Sequence, residues 1–202
     1  ARPAAVRGIE SGPPENPQDL ADFTARFVRD VKPEFIDAIE IWNEANLIRE
    51  WRGRTISGPD YMAYFKPTYA AILAEQRAQP SALKPNHRII VITAGPAPTV
   101  TFPGDTMGDR EWLQGLYDAG LATLGPDIAV GVHSYGWANP PDARCCAAAP
   151  GVTGWFEHPS FYFRETLEGY RAITLRNGHD VQLWVTEFGR ATYDGLKRSD
   201  GS

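Results

Sequence analysis

The chain has 202 residues, 43% of them hydrophobic and 22% charged, with a formal net charge of −5. That composition suits a globular protein with a sizeable core. An acidic balance without a basic run argues against a nucleic-acid partner. No apolar stretch reaches the ~18 residues that a membrane helix needs, so no membrane span is expected. No signal peptide is visible and the first residue is Ala, which suggests a processed product or a piece of something longer.

Taken in chain order, the first segment is rich in Pro, Gly and Glu and reads as loop. Asp19 is a candidate N-cap for a helix whose apolar positions Leu20, Phe23, Phe27, Val28 and Val31 recur at helical spacing, with Pro33 as its stop. Phe35 to Trp42 is apolar and β-branched, a strand pattern, and Asn43 to Gly58 is a long polar connection. A second helix is predicted from Asp60 to Gln79, a strand from Arg88 to Thr93, and a loop from Pro96 to Gly108. A third helix is predicted from Asp109 to Leu124 and a strand from Ile128 to Tyr135. After a loop of about 25 residues, a length that often signals function, come a helix from Phe161 to Asn177 with Gly178 as its C′ stop, a strand from Val181 to Thr186, and a polar tail from Gly189. Strand and helix alternate throughout, the pattern of βαβ units around a parallel sheet. Strands apolar on both faces fit a sheet whose outside is covered by helices.

The two cysteines, Cys145 and Cys146, are adjacent in the long loop. They are either free thiols or a vicinal disulfide formed in an oxidising compartment. Neither they nor any other pattern supplies the roughly four ligands of a structural zinc site, so no metal is expected.

Functional groups of parallel α/β folds gather at the C-terminal ends of the strands. There the sequence places Trp42-Asn43-Glu44, Thr93-Ala94-Gly95, His133 to Trp137, and Thr186-Glu187-Phe188-Gly189. A single strand-end Glu is more often an N-cap or an ion-pair partner. Two of them on one face, each in an aromatic and polar context, reverse that balance. Two carboxylates flanking one bond are what glycosidic cleavage requires: one protonates the leaving oxygen, and the other attacks or activates water.

These motifs carry a resemblance. Ile39-Glu40-Ile41-Trp42-Asn43-Glu44 resembles the Asn-Glu signature at the end of barrel strand four in clan A glycoside hydrolases, the cellulase-like retaining (β/α)8 barrels also called the four/seven superfamily. Val185-Thr186-Glu187-Phe188-Gly189 is similar to their strand-seven motif, and His133-Ser134-Tyr135 to a strand-six His-x-Tyr element. The two intervening strands, with room for three βα units between Glu44 and Glu187, agree with that register. The resemblance implies Glu44 as general acid/base and Glu187 as nucleophile. It also implies Asn43 on the sugar 2-hydroxyl, His133 and Tyr135 lining the sugar site, and Tyr135 touching Glu187. Trp42 is read as core, with the floor of the pocket as its alternative. Trp51, Trp137 and Trp155 are divided between stacking on a sugar and packing under the loops, while Trp184 is expected in the core. His158 and His179 are expected at the surface, and His87 carries no evident role.

The chain departs from the family in having Ala45 where Pro usually follows the acid/base Glu. Strands one to three and strand eight have no counterpart. The fold expected is therefore α/β of the (β/α)8 type, a partial barrel in one catalytic domain. Its remainder lies outside this sequence or is supplied by another copy or chain, because an isolated segment leaves sheet edges and barrel interior uncovered. A carbohydrate substrate is implied, with no cofactor and an extracellular setting. The rival readings are a non-catalytic carbohydrate-binding or structural derivative, and an esterase on the same fold; no Ser-His-acid set favours the esterase.

Overall fold

A computed structural model describes residues 12–81, 84–146 and 157–190. The first helix, α1, spans Pro17–Val31, and strand β1 spans Ala38–Ile41. They are followed by α2 (Gly58–Ala78), β2 (Ile90–Thr93), α3 (Asp109–Asp118), β3 (Ile128–Trp137), α4 (Phe163–Arg176) and β4 (Gln182–Arg190). The four strands are parallel and lie in the order β1-β2-β3-β4. Because the order advances steadily in one direction, right-handed crossovers put the connecting helices on one face. There α1 packs on α2, α2 on α3, and α3 on α4. This is an α/β fold of four parallel strands alternating with helices, consistent with part of a (β/α)8 barrel.

The elements follow the sequence pattern, with shifted ends. α1 begins two residues before Asp19: Asn16 is its cap, accepting from the Gln18 N–H at 3.1 Å, and Pro17 occupies the first turn, where its missing N–H costs nothing. α2 is capped by Ser57, which accepts from the Asp60 N–H at 3.2 Å. β1 is shorter than its apolar run because Pro33–Phe35 form a 3-10 turn and Trp42 takes φ 74°. α3 stops at Asp118, six residues early, since Gly120 adopts the left-handed φ of 92° and a 3-10 turn, Leu121–Thr123, follows. The fourth helix starts at Phe163 rather than Phe161, after the 3-10 turn Pro159–Phe161.

The core lies between helices and sheet. Val28, Ile41, Trp51, Tyr61, Phe65, Ile72, Val91, Trp112, Leu116, Val130, Val132 and Tyr170 are buried together there. Tyr61 stitches it to the sheet: its hydroxyl donates to the Ile41 carbonyl at 2.7 Å and accepts from the Ala94 N–H at 2.8 Å. Phe23 and Phe27, part of the apolar stripe of α1, instead face outward, because the helix meets α2 through Ala21, Thr24 and Val28. At the other edge Val185 and Phe188 of β4 are exposed as well. Among the described residues no helix is long and apolar enough to cross a membrane.

Candidate active site

The cleft lies beyond the C-terminal ends of the strands. Its first wall is the turn after β1, where Trp42 (φ 74°) and Glu44 (φ 37°) both hold positive backbone angles. Such angles are rare for side-chain-bearing residues and often accompany functional sites. Asn46, fully buried, fixes the turn to the loop after β2. Its side-chain amide donates to the Ala97 and Met107 carbonyls, each at 2.9 Å, and its oxygen accepts from the Ala97 N–H at 2.8 Å. Ala45 is buried in the core directly behind Glu44.

The far wall is β4, which runs to Arg190 rather than stopping at Thr186. The pairing of β3 with β4 shifts by one residue: Val132 lies opposite Val185, but His133 lies opposite Glu187, leaving Thr186 as a bulge. A one-residue slip turns a strand's side chains to the other face. Without the bulge Glu187 would align with Ser134, whose hydroxyl points away to the Phe163 carbonyl at 3.0 Å. With it, Glu187 joins His133 and Tyr135.

The resulting cleft, of about 570 Å³, is lined by Asn43, Glu44, Arg49, Tyr135, Trp137 and Glu187, with Leu47, Glu50 and the Ala97–Thr99 loop at its sides. The Tyr135 hydroxyl donates to Glu187 Oε2 at 2.7 Å. His133, buried beneath, directs Nδ1 to Glu44 Oε1 at 3.3 Å and lies 3.6 Å from Glu187 Oε2. Its Nε2 lies 3.7 Å from Glu40 Oε1. Glu44 also accepts from Arg49 Nη2 at 2.7 Å.

Of the residues singled out from sequence, Asn43, Glu44, Tyr135, Trp137 and Glu187 therefore share one cleft, with His133 under it. Trp42 is not among the lining residues: its Nε1 donates to the Glu50 carbonyl at 3.0 Å and its ring meets Trp51 edge-on. Trp51 is fully buried, its Nε1 on Asp60. Trp155 lies outside the described residues, and Trp184 is half-buried on β4. Cys145 and Cys146 are joined as a disulfide away from the cleft lining. Two contributors went unread in the sequence. Arg49 is one polar residue of a long loop and carries no pattern. Glu40 did carry a signal, as a charge between Ile39 and Ile41 within an apolar strand.

The electrostatics follow from these contacts. Burial works against a charged His133, but Glu40, Glu44 and Glu187 outweigh it and push its pKa up to about 9, so an imidazolium lies among the three carboxylates at neutral pH. Burial likewise pushes the Glu44 carboxyl up, but His133 and Arg49 prevail and hold it below the usual carboxylate value. Burial, together with the neighbouring Glu187 carboxylate, raises the Tyr135 hydroxyl to about 12, so it stays a donor. Glu44, His133 and Glu187 present one ligand atom each, all within 4.8 Å of one another. That spacing would admit a cation, but a protonated His133 has no lone pair to give and Arg49 already supplies positive charge.

No family model matches the chain, and no curated protein matches it. Among solved structures, the native form of beta-glucanase SdGluc5_26A from Saccharophagus degradans is similar over 85% of this chain and 52% of that one, at 16% identity and a TM-score of 0.28. The chain thus spans about half the length of that glucanase. A likeness this loose carries no assignment, and the function has to be argued from the chain's own side chains.

Proposed function

We propose that this chain carries the catalytic core of a retaining glycoside hydrolase, forming strands four to seven of a (β/α)8 barrel and cleaving a β-linked glycoside. The supporting observation is the closeness of two carboxylates across an open cleft, with ligand oxygens of Glu44 and Glu187 within 4.8 Å. Retaining enzymes hold their carboxyl groups about 5–5.5 Å apart, whereas inverting ones need about 6.5–9.5 Å to fit a water between. Glu187 attacks the anomeric carbon while Tyr135 orients it through the 2.7 Å hydrogen bond. Glu44 protonates the departing oxygen and then takes a proton from the incoming water.

The ionised state of Glu44 in the open cleft has to be reversed for the first half-reaction. Two features of the site do this. The Arg49 side chain is 66% exposed at the cleft lining, where an entering sugar competes for its place on Glu44. Once it leaves, burial, the strongest influence on Glu44, is opposed by His133 alone, and the carboxyl moves toward the neutral acid. The exposed apolar edges, Phe23 at 69% on α1 and Phe188 at 73% on β4, fit a barrel completed by further strands from a longer chain or from another copy.

The test is trapping with a 2-fluoro β-glycoside bearing an activated leaving group. The wild-type chain is expected to release one equivalent of aglycone and to carry the sugar on Glu187. Glu187→Gln is expected to do neither, and full hydrolysis by that variant ends the assignment. One observation favours a second reading, a carbohydrate-binding derivative without turnover: Arg49 sits on the very group that must supply the proton. That reading predicts saturable sugar binding with no labelling of Glu187.

A further inference from the structure

Glu40 takes no part in the chemistry above, yet it sits beneath it. It is the middle of β1, between Ile39 and Ile41, with its side chain only 25% exposed. A charge at such a position needs partners. One of its oxygens, Oε1, accepts from the Gly95 N–H at the end of β2 at 2.9 Å and from the Thr186 hydroxyl on β4 at 3.0 Å. The same oxygen faces His133 Nε2 on β3 at 3.7 Å. A single carboxylate oxygen thus ties together all four strands at the level where the cleft begins.

Two glycines make the room. A Cβ on Gly131 would sit 2.9 Å from Glu40 Oε1, and 2.2 Å from the Thr93 carbonyl. A Cβ on Gly95 would strike the His133 ring, at 2.2 Å from Cδ2. A larger residue at Gly131 would crowd the Thr93 backbone and Glu40, and one at Gly95 would displace the His133 ring.

The contact with Thr186 matters most. Thr186 is the bulged residue whose presence turns Glu187 toward the cleft. We propose that Glu40 is a positioning residue, which aims Glu187 by anchoring the Thr186 bulge and fixes the His133 imidazole between itself and Glu44. Its role as positioner of a nucleophile rests on the glycosidase reading, but the two contacts do not. The groups that face His133 are Glu40 on β1, Glu44 in the turn after it with Arg49 behind, and Glu187 on β4 with Tyr135 upon it.

The experiment is an NMR titration of the His133 ring in the wild-type chain, Glu40→Gln and Thr186→Val, each checked for folding by circular dichroism. Gln keeps an acceptor for Gly95 and Thr186 but removes the charge. It is expected to lower the His133 midpoint by about 1–2 units. Thr186→Val keeps Glu40 but frees the bulge, so that Glu187 swings from His133 and the midpoint falls again. An unchanged midpoint in either folded variant overturns the proposal. Where the chain turns over an aryl glycoside, Thr186→Val is expected to lose kcat at least tenfold with KM little altered, and Thr186→Ser to restore it. A wild-type chain without turnover defeats the glycosidase reading, yet leaves the titration to decide the role of Glu40.

Discussion

Two polar clusters in this molecule are built from similar groups and differ in what surrounds them. Behind the sheet, Asp109 at the start of α3 is 1% exposed and accepts from the Ser160 hydroxyl at 2.5 Å and the Tyr170 hydroxyl at 2.9 Å. Arg110 lies 3.8 Å from it and donates to Ser160 Oγ at 2.7 Å. Burial pushes the Asp109 carboxyl up, against the pull of Arg110, Ser160 and Tyr170. At the strand ends Glu40, Glu44 and Glu187 surround His133. The first cluster is closed: its hydrogen bonds join α3, α4 and the turn between β3 and α4, and none of its residues lines the cleft. In the second, Glu187 remains 44% exposed and the charges converge on open space. A shifted acid alone therefore does not mark a site. The distinction is whether the perturbed groups face somewhere a ligand can stand.

Mutations at the two clusters should separate activity from stability. The largest effect is expected for Glu187→Gln, a loss of roughly 10³-fold or more in kcat against an aryl β-glycoside, as for removal of a nucleophile. Its urea midpoint should fall only slightly, since the side chain is half exposed, Gln keeps an acceptor for Tyr135, and His133 retains Glu40 and Glu44. Asp109→Ala should do the reverse. It strands the Ser160 and Tyr170 hydroxyls and the Arg110 charge, costing about 3–5 kcal/mol in urea unfolding. Activity per folded molecule should be unchanged. An Asp109 variant with normal stability and lost turnover would break the comparison.

The next effect in size is a pH dependence. His133 is raised in the folded state from 6.5 to about 9, so its contribution is fully present below about 6.5 and is lost as pH climbs through 9. The shift corresponds to roughly 3 kcal/mol. Glu44, lowered in the folded state, works oppositely: its contribution is present above the usual carboxylate value and fades as pH falls. Unfolding at pH 6.5 and 9 should thus show a decline that His133→Gln removes. A wild-type curve flat over that window would mean that no imidazolium sits among the carboxylates.

The sequence made the strands and their alternation with helices legible, because each strand is a short apolar run between turn residues. The meeting of Asn-Glu, His-x-Tyr and Thr-Glu-Phe-Gly at one end of the sheet followed from that order alone. What it concealed were backbone details. Gly189 and Arg190 read as tail, yet pairing with β3 continues through them once Thr186 bulges out. Trp42 reads as core, with the pocket floor as its alternative; its ring meets Trp51, at a φ of 74° that lies outside what an apolar pattern encodes. Phe23 and Phe27 follow helical spacing and still face outward, because periodicity identifies a stripe and not the neighbour that covers it.

The smallest stability effect, and the sharpest probe of mechanism, is expected at Arg49. Its guanidinium is largely exposed, so Arg49→Met should change unfolding free energy by no more than about 0.5 kcal/mol. It acts instead on Glu44. Losing the cation removes one of the two contacts that hold this carboxyl down and leaves burial, which drives it up. Since Glu44 has to be protonated to assist departure of the leaving group, the basic limb of kcat/KM should move to higher pH. A basic limb that keeps its position would show that Arg49 leaves Glu44 alone in the working enzyme, and a limb moving to lower pH would take the proton-donor role away from Glu44.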